Sequence, residues 1–529
     1  MPDLAHLEQR IDELAEEQQQ LRTALDQSNQ ERDAYHKLYL EMLERCRKLE
    51  RGLLGQKTER LSADESQLTL GMMGMLLTND AEVTADDDAQ EVKPHTRRKP
   101  TGRKPLPEHL PRVDVVVLPH EVELEGLNAF EQIGQDVSEV IERRPSSVVI
   151  VRTFKPKYVH KNRDRNGSTK VYIASTHPLP IPRGLAGPGM LADSIVKRWD
   201  DHLPLNRLER VYGRDGLDLS RSTVCGWHIA LADLAKPVID AMRLDAFEQP
   251  YLCTDATGVL VQAKERCRRG HFWVMVAPER HVLFEFTKKH DSDAVDEVLA
   301  GYEGYLVADA HAVYDHLYRD GPVTEVNCWA HARRYFFKAL SSDPERARPA
   351  LGLINGLFRI ERGIADAPRK KREKIRRSKS SPIVERFFAW CQAERDQVLD
   401  DTPIAKGIGY ALNQRKGLSR FLRDGRLPLH NNMSELQLRR QAVGRKNWLF
   451  LGSEDGATAN TIFVSLLASC RMHEIEPWSY LRDLFCLLPT WPKHRLLELA
   501  PLNWAATAEL DEVQEILAAN PYRAATLLA

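Results

Sequence analysis

Apolar residues between positions 4 and 49 recur at alternating spacings of three and four. Leu4, Ile11, Gln18, Leu25, Arg32, Tyr39 and Cys46 share one heptad position, and Leu7, Leu14, Leu21, Ser28, Tyr35, Met42 and Leu49 share the other. Glu, Gln, Arg and Asp fill most positions between them, so residues 1–52 predict a leucine-zipper coiled coil, pairing the chain as a homodimer or higher oligomer. Gln18 and Arg32 interrupt the stripe at a cost in stability and fix its register. A single amphipathic helix folded on its own globule has the same periodicity.

Residues 53–112 lose this pattern and predict a linker. Its acidic part, NDAEVTADDDAQE, is followed by the basic, proline-bearing KPHTRRKPTGRKPLPEHLPR. The second part has little to pack and suits a phosphate backbone, with Arg97, Arg98, Lys99, Arg103 and Lys104 as candidate DNA contacts. A solvated linker has the same composition. Residues 113–178 turn to strand-like runs, VDVVVL, SSVVIVRTFKPKYV and KVYIAS, and predict a small β-rich module.

Across residues 179–246 the pattern is helical. LPLNRLERVYGRDGLDLSRSTVCGWHIALADL predicts a helix, a glycine-bearing turn and a second helix capped by Ser220. That outline resembles a helix-turn-helix, with Arg221, Ser222 and Thr223 on the first turn of the recognition helix, although ordinary helical domains share it. From residue 250, YLCTDATGVLVQ, HFWVMVAP and HVLFEFT predict three successive strands, followed by helix, strand (GYLVAD), helix and strand (VTEVNCW). This order predicts a mixed sheet of ribonuclease H-like type, in which the first and fourth strands are neighbours. The core so defined spans 247–472, with a helical insertion at about 340–427, and residues 473–529 predict a helical tail.

Composition narrows the class. A chain of 529 residues exceeds one core, so the expected fold is multidomain α/β. The N-terminal MPDLAHLEQRIDEL is charged rather than basic-then-apolar, and no stretch reaches the ~20 apolar residues of a membrane span. A cytoplasmic protein without membrane partners is expected. The net charge of -1 favours no partner by itself; the blocks of like charge are more telling. The eight cysteines contain no C-x-x-C pair and predict reduced thiols.

Two aspartates stand in apolar surroundings, Asp255 inside the first core strand and Asp309 at the end of the fourth. A carboxylate in a central strand is costly to bury unless something pairs with it. With Glu435 from a helix crossing the sheet edge, three hard oxygen donors describe a catalytic site for Mg²⁺ or Mn²⁺. Two such ions ~3.5–4 Å apart suit in-line displacement at phosphorus. Each residue has a plainer alternative. Asp255 fits the first position of a D-A-T-G turn, Asp309 fits a cap for a helix starting at Ala310, and Glu435 fits a capping box with Asn432 as N-cap. Nearby cations are candidate DNA contacts: His331, Arg333 and Arg334 in CWAHARRYF, Arg439 and Arg440 a turn after Glu435, and Arg445 and Lys446 in GRKNWLF.

LLGQKTERL, IPRGLAGPG, HLPLNRLERVYGRDGLDLSRST, GYLVADAHAVYD, CWAHARR and NNMSE…GRKNWLFLGS, in this order after a zipper, resemble the insertion-sequence-66 family of bacterial DDE transposases over almost the whole chain. The resemblance implies that Asp255, Asp309 and Glu435 are the catalytic, metal-binding triad. It also implies transposon terminal repeats and target DNA as partners, and small accessory proteins of the same element. Three departures stand out. The zinc-binding module of the family has two cysteine pairs, and this chain has none near LEGLNAFEQIG or VHKNRDRNG, so zinc is not expected. His430 replaces the aspartate before the Asn pair, and Ala256 the glutamate after the first catalytic aspartate. Two rival readings share some of these features: a non-catalytic zipper-dimer DNA-binding protein derived from a transposase, and another ribonuclease H-like nuclease.

Overall fold

The computed structural model describes residues 110–527 except 145, 146, 161–169, 264, 265 and 320, together with 106, 108 and scattered positions between 18 and 34. Those scattered positions are helical. The rest of the heptad stripe, and Arg97, Arg98, Lys99, Arg103 and Lys104, lie outside the described residues. The chain divides into two compact units: Thr69–Glu325 with Asn431–Ala529, and Met1–Leu68 with Val326–His430. Both α and β structure are present, in two mixed sheets. No helix among the described residues is long and apolar enough to cross a membrane.

The larger unit opens with a four-stranded sheet: β1 (Arg112–Val116), β2 (Phe130–Arg144), β3 (Ser147–His160) and β4 (Val171–Ile173). Strand β3 is central, parallel to β1 and antiparallel to β2 and β4. The sequence pattern misses β2, whose register shifts between Gln132 and Gly134. Ile133 and Val137 face solvent while Val140, Ile141 and Glu142 are buried in succession, so no period of two survives.

Helix α1 (Pro188–Ile195) follows, and its first turn is held by Glu142. Glu142 Oε1 accepts hydrogen bonds from the backbone N–H groups of Met190 at 2.6 Å and Arg143 at 2.7 Å. Glycine is required beside it, since a Cβ at Gly187 or Gly189 would lie 2.1 or 2.5 Å from that carboxylate. Helices α2 (Leu205–Arg214) and α3 (Arg221–Phe247) come next. Ser220 caps α3, accepting from Thr223 N–H at 3.2 Å. The connection is longer than the three- or four-residue turn of a helix-turn-helix. Helix α3 runs on for 27 residues and buries Val224, Leu231, Val238 and Met242, leaving Arg221 and Ser222 exposed on its first turn.

The second sheet comprises β5 (Tyr251–Val261), β6 (Arg268–Ala277), β7 (His281–Thr287), β8 (Gly304–Ala308) and β9 (Val323–Asn327), in the order β7-β6-β5-β8-β9. Helices α4 (Ser292–Val298) and α5 (Asp315–Arg319) lie in the connections on either side of β8. Strands β5, β6 and β7 are antiparallel neighbours, and β8 runs parallel to β5. The first and fourth strands are therefore adjacent, as the order of elements predicts.

The smaller unit's described helices from residue 326 onward include α6 (Trp329–Ala339), α7 (Pro344–Gly363), α8 (Arg369–Ile375), α9 (Ser381–Glu394) and α10 (Pro403–Asn413). Trp329 packs edge-on against Phe387 with centroids 5.2 Å apart and donates from Nε1 to the Leu418 carbonyl at 2.7 Å.

The chain then returns to the larger unit through α11 (Asn432–Trp448), α12 (Glu454–Met472), α13 (Pro477–Leu487) and α14 (Pro521–Leu527). Helix α12 covers the edge strand β7. The Ser465 and Ser469 hydroxyls, one helical turn apart, accept from the N–H groups of Phe284 at 2.8 Å and Val282 at 3.0 Å. Without them these edge donors would be buried and unsatisfied. Helix α14 closes back on the first sheet, where Tyr522 and Ala525 pack with Val140, Val149 and Val151. Both sheets' strands up to Glu325 and the helices from Asn432 onward thus fall in the larger unit.

Candidate functional site

Asp255 lies in the middle of β5, paired with Val274 of β6, and its Oδ1 accepts from the backbone N–H of Ala256 at 2.8 Å. It is half-buried and occupies no turn. Strand β8 pairs with β5 in the register Tyr251↔Tyr305, Leu252↔Leu306 and Cys253↔Val307. The pairing ends there; Asp255 lies two residues further along β5, and Asp309 is the first residue after β8. Asp309 caps no helix: the short 3₁₀ turn Ala312–Tyr314 has His311 as its N-cap, whose Nδ1 accepts from Val313 N–H at 3.3 Å.

Glu435 stands on the first turn of α11, which packs on β5 and β6. The N-cap of this helix is Asn431 rather than Asn432, so Glu435 stands four residues after the cap and outside the capping-box position. The Asn431 side chain donates instead to the carbonyl oxygen of Thr254 at 2.8 Å. The first turn of α11 is thereby fastened to the residue preceding Asp255. Ser434, at the position the capping box assigns to Glu, donates its hydroxyl to the Asn431 carbonyl at 2.9 Å.

Beyond α11 the GRKNWLFLGS stretch anchors the helix. Trp448 folds over Gly444, where a Cβ would meet Nε1 at 2.7 Å. Leu449, at φ 61°, ends the helix, and Leu451 joins the end of β5 through Leu451 N–H to Leu260 carbonyl at 2.9 Å and Gln262 N–H to Leu451 carbonyl at 2.8 Å. Arg445 donates to the Gly258 carbonyl. Helix α11 and the stretch after it are thus tied to β5 and its end at Thr254, Gly258, Leu260 and Gln262.

Tyr314, which sequence reasoning passes over, is buried beside these strands. Burial pushes its phenol well above the ordinary range, and the charges of Asp309 and Asp255 push it further; a hydrogen bond with Thr254 opposes this. Its ring meets Trp273 edge-on at 6.1 Å. Both aspartates therefore lie within electrostatic reach of one buried phenol. Asn431 is the other omission; it is visible in the sequence only as half of the NN pair.

The remaining candidates separate by environment. Arg439 and Lys446 are exposed on α11. Arg440 is committed to Asp200 at 3.1 Å, which also takes Arg471 at 2.5 Å. Arg221 pairs with Glu209 at 3.2 Å, and the Ser222 and Thr223 hydroxyls lie 2.8 and 2.9 Å from Ser220 Oγ. In the smaller unit Arg333 donates to Asn355 Oδ1 at 3.1 Å, and Arg334 is half-buried. Burial, then Arg334, lowers His331 to about 4. His430 stacks on Phe358 at 5.8 Å within the smaller unit, and burial lowers its pKa.

Asp255 thus stands on β5, Asp309 directly after the neighbouring strand β8, and Glu435 on a helix bonded to β5.

Comparison with known proteins bears on the same region. A family profile described as "Transposase IS66 family" matches residues 183–459, more than half of the chain and all three acids. A second, described as "Transposase C of IS166 homeodomain", matches residues 41–115. Among similar proteins is the uncharacterized protein y4hP of Sinorhizobium fredii, 30% identical over 488 residues, which cover 86% of this chain and 87% of the relative. The uncharacterized protein y4qI of the same organism is 30% identical over 78% of this chain and 79% of its own length. A third, y4jD, is 26% identical over 91% of this chain and 98% of its own.

Proposed function

We propose that this chain, which belongs to the IS66 family of transposases, cuts the ends of its insertion sequence and joins them to target DNA at a site formed by Asp255, Asp309 and Glu435. The observation that supports the reading is the parallel pairing of β5, which bears Asp255, with β8, which Asp309 follows directly, together with the Asn431 bond that fastens α11 to Thr254. The second sheet is on this reading a ribonuclease H-like core. Family membership implies divalent cations, and the three carboxylates would hold them. When bound, they supply Lewis acidity for in-line displacement at phosphorus, twice over: once for cutting and once for joining.

The chain's own contribution is position and charge. Asn431 fastens the first turn of the helix bearing Glu435 to β5, while Asp255 draws rigidity from a strand and Asp309 directly follows one. Arg439, one turn after Glu435, and Lys446 remain exposed to hold phosphates. The first turn of α3, with Arg221, Ser222 and Thr223, and the basic linker would contact the terminal repeats. The N-terminal zipper would pair two subunits on two ends, and accessory proteins of the element would join them.

The test uses a supercoiled plasmid carrying the genomic segment that flanks this chain's own coding sequence, incubated with the full-length protein and Mg²⁺. End cleavage and strand-transfer products are expected. Asp255→Asn and Asp309→Asn should abolish both while DNA affinity persists. Products that are undiminished in these variants would defeat the reading. Cleavage without any strand transfer would favour a nuclease, and binding without either product a DNA-binding protein.

A further inference from the structure

Residues 369–379 of the smaller unit, RKKREKIRRSK, contain eight basic residues against one acidic residue, Glu373. The fold itself uses three of the eight. Arg376 is fully buried and forks onto Glu361 at 2.6 and 2.8 Å. It also donates to the carbonyls of Phe421 at 2.7 Å, Asp424 at 2.8 Å and Leu427 at 2.9 Å. Arg369 pairs with Glu373 at 2.9 Å and Asp424 at 3.2 Å, and Arg372 lies 3.8 Å from Glu361. Gly425 abuts the start of α8 so closely that a Cβ there would meet the Arg369 carbonyl at 2.3 Å. The segment is therefore a fixed element, seated on its arginines.

The other five, Lys370, Lys371, Lys374, Arg377 and Lys379, are exposed and make no ion pair among the described residues. Lys370, Lys374 and Arg377 follow at i, i+4 and i+7 and line one stripe. Like charges at these spacings repel and weaken a helix that has no anion beside it. The stripe spans about 10 Å at 1.5 Å per residue, the length of roughly three phosphates along one DNA strand. Its exposed side chains are lysines, arginines and one serine, without the Asn or Gln amides that read adenine.

We propose that this face of the helical insertion binds the phosphate backbone of duplex DNA without regard to sequence. The inference rests on the reading of the chain as acting on DNA and assigns that substrate a second contact surface, distinct from the carboxylate site. Phosphate contacts of this kind supply affinity and orientation rather than specificity.

The experiment compares the full-length wild type with a variant carrying Lys370→Gln, Lys371→Gln, Lys374→Gln, Arg377→Gln and Lys379→Gln. Binding to a fluorescent duplex of random sequence is followed by anisotropy across a NaCl series. A charge-conserving variant, with the four lysines changed to Arg and Arg377 to Lys, serves as the rescue. Removing the charges should lower the slope of log affinity against log salt by roughly 3, since each of about three phosphates neutralised contributes ~0.9. Affinity at ~150 mM NaCl should fall at least roughly tenfold, on random and element-end duplexes alike, and the rescue should restore both. An unchanged slope, beside a wild type that binds and cleaves, overturns this inference and leaves the transposase reading standing. A rescue variant that binds as weakly as the neutral one also overturns it, because the loss would then be structural. A wild type that neither binds nor cuts DNA overturns both proposals together.

Discussion

Asn431 donates its side-chain amide to the carbonyl of Thr254 at 2.8 Å, and both residues are buried. This bond joins the start of the helix bearing Glu435 to the residue before Asp255. Replacing Asn431 with Ala would leave the carbonyl unsatisfied, at a cost of roughly 1–3 kcal/mol. The same change would let α11 move against β5. Asn431→Ala should therefore lower the urea midpoint and reduce end cleavage much more than DNA affinity. Equal losses in both would contradict a positioning role.

Glu435 offers a cleaner separation of structure from chemistry. It lies past the capping-box position, so Glu435→Gln should change stability by no more than about 0.5 kcal/mol. As a metal-holding carboxylate it should lose cleavage by more than about 100-fold under the same change. Thermal unfolding and a cleavage time course on one preparation measure the two together. A large stability change with modest loss of cleavage would return Glu435 to a structural role.

Glu142 gives a pH dependence. Burial raises its pKa to about 8, partly opposed by the N–H groups of Arg143, Gly189 and Met190 and by the charge of Arg482. The folded protein thus holds a proton that the unfolded chain releases near 4.5. Its contribution to stability is complete below about 4.5 and is lost as pH rises through about 8, at up to ~1.4 kcal/mol per pH unit. Glu142→Gln should flatten the stability profile across this window. A profile with the same slope in variant and wild type would remove Glu142 as its source.

Arg376 is the keystone of the insertion, with Glu361 and three carbonyls as its partners. Arg376→Met would leave Glu361 with its main partner gone, at a cost of about 3–5 kcal/mol. Limited proteolysis should then cut first within residues 361–427. Protection equal to wild type would show that the helices hold without it.

The sequence carried much of this architecture where pattern and burial agree. Runs at β5, β6 and β7 are long, apolar and separated by short turns, so their antiparallel order and the adjacency of β5 and β8 were legible. Strand β2 was not, because Ile133 and Val137 face solvent while Val140, Ile141 and Glu142 are buried in succession, leaving no period of two. The three acids were legible as candidates, but their local settings appear only in three dimensions, where Asp255 occupies a strand, His311 is the N-cap of the 3₁₀ turn after Asp309, and Asn431 rather than Asn432 is the N-cap before Glu435. Asn431 and Tyr314 left no local signal, since each acts on Thr254 from a distant part of the chain. Nor does sequence separate Arg440, engaged by Asp200, from its exposed neighbour Arg439.

The most direct measurement is an anomalous difference map from crystals of the full-length protein grown with MnCl₂. A Mn²⁺ peak within roughly 2.0–2.3 Å of carboxylate oxygens from Asp255, Asp309 and Glu435 is the result this account predicts. Manganese bound only elsewhere, with those three carboxylates free of it at saturating metal, would contradict it.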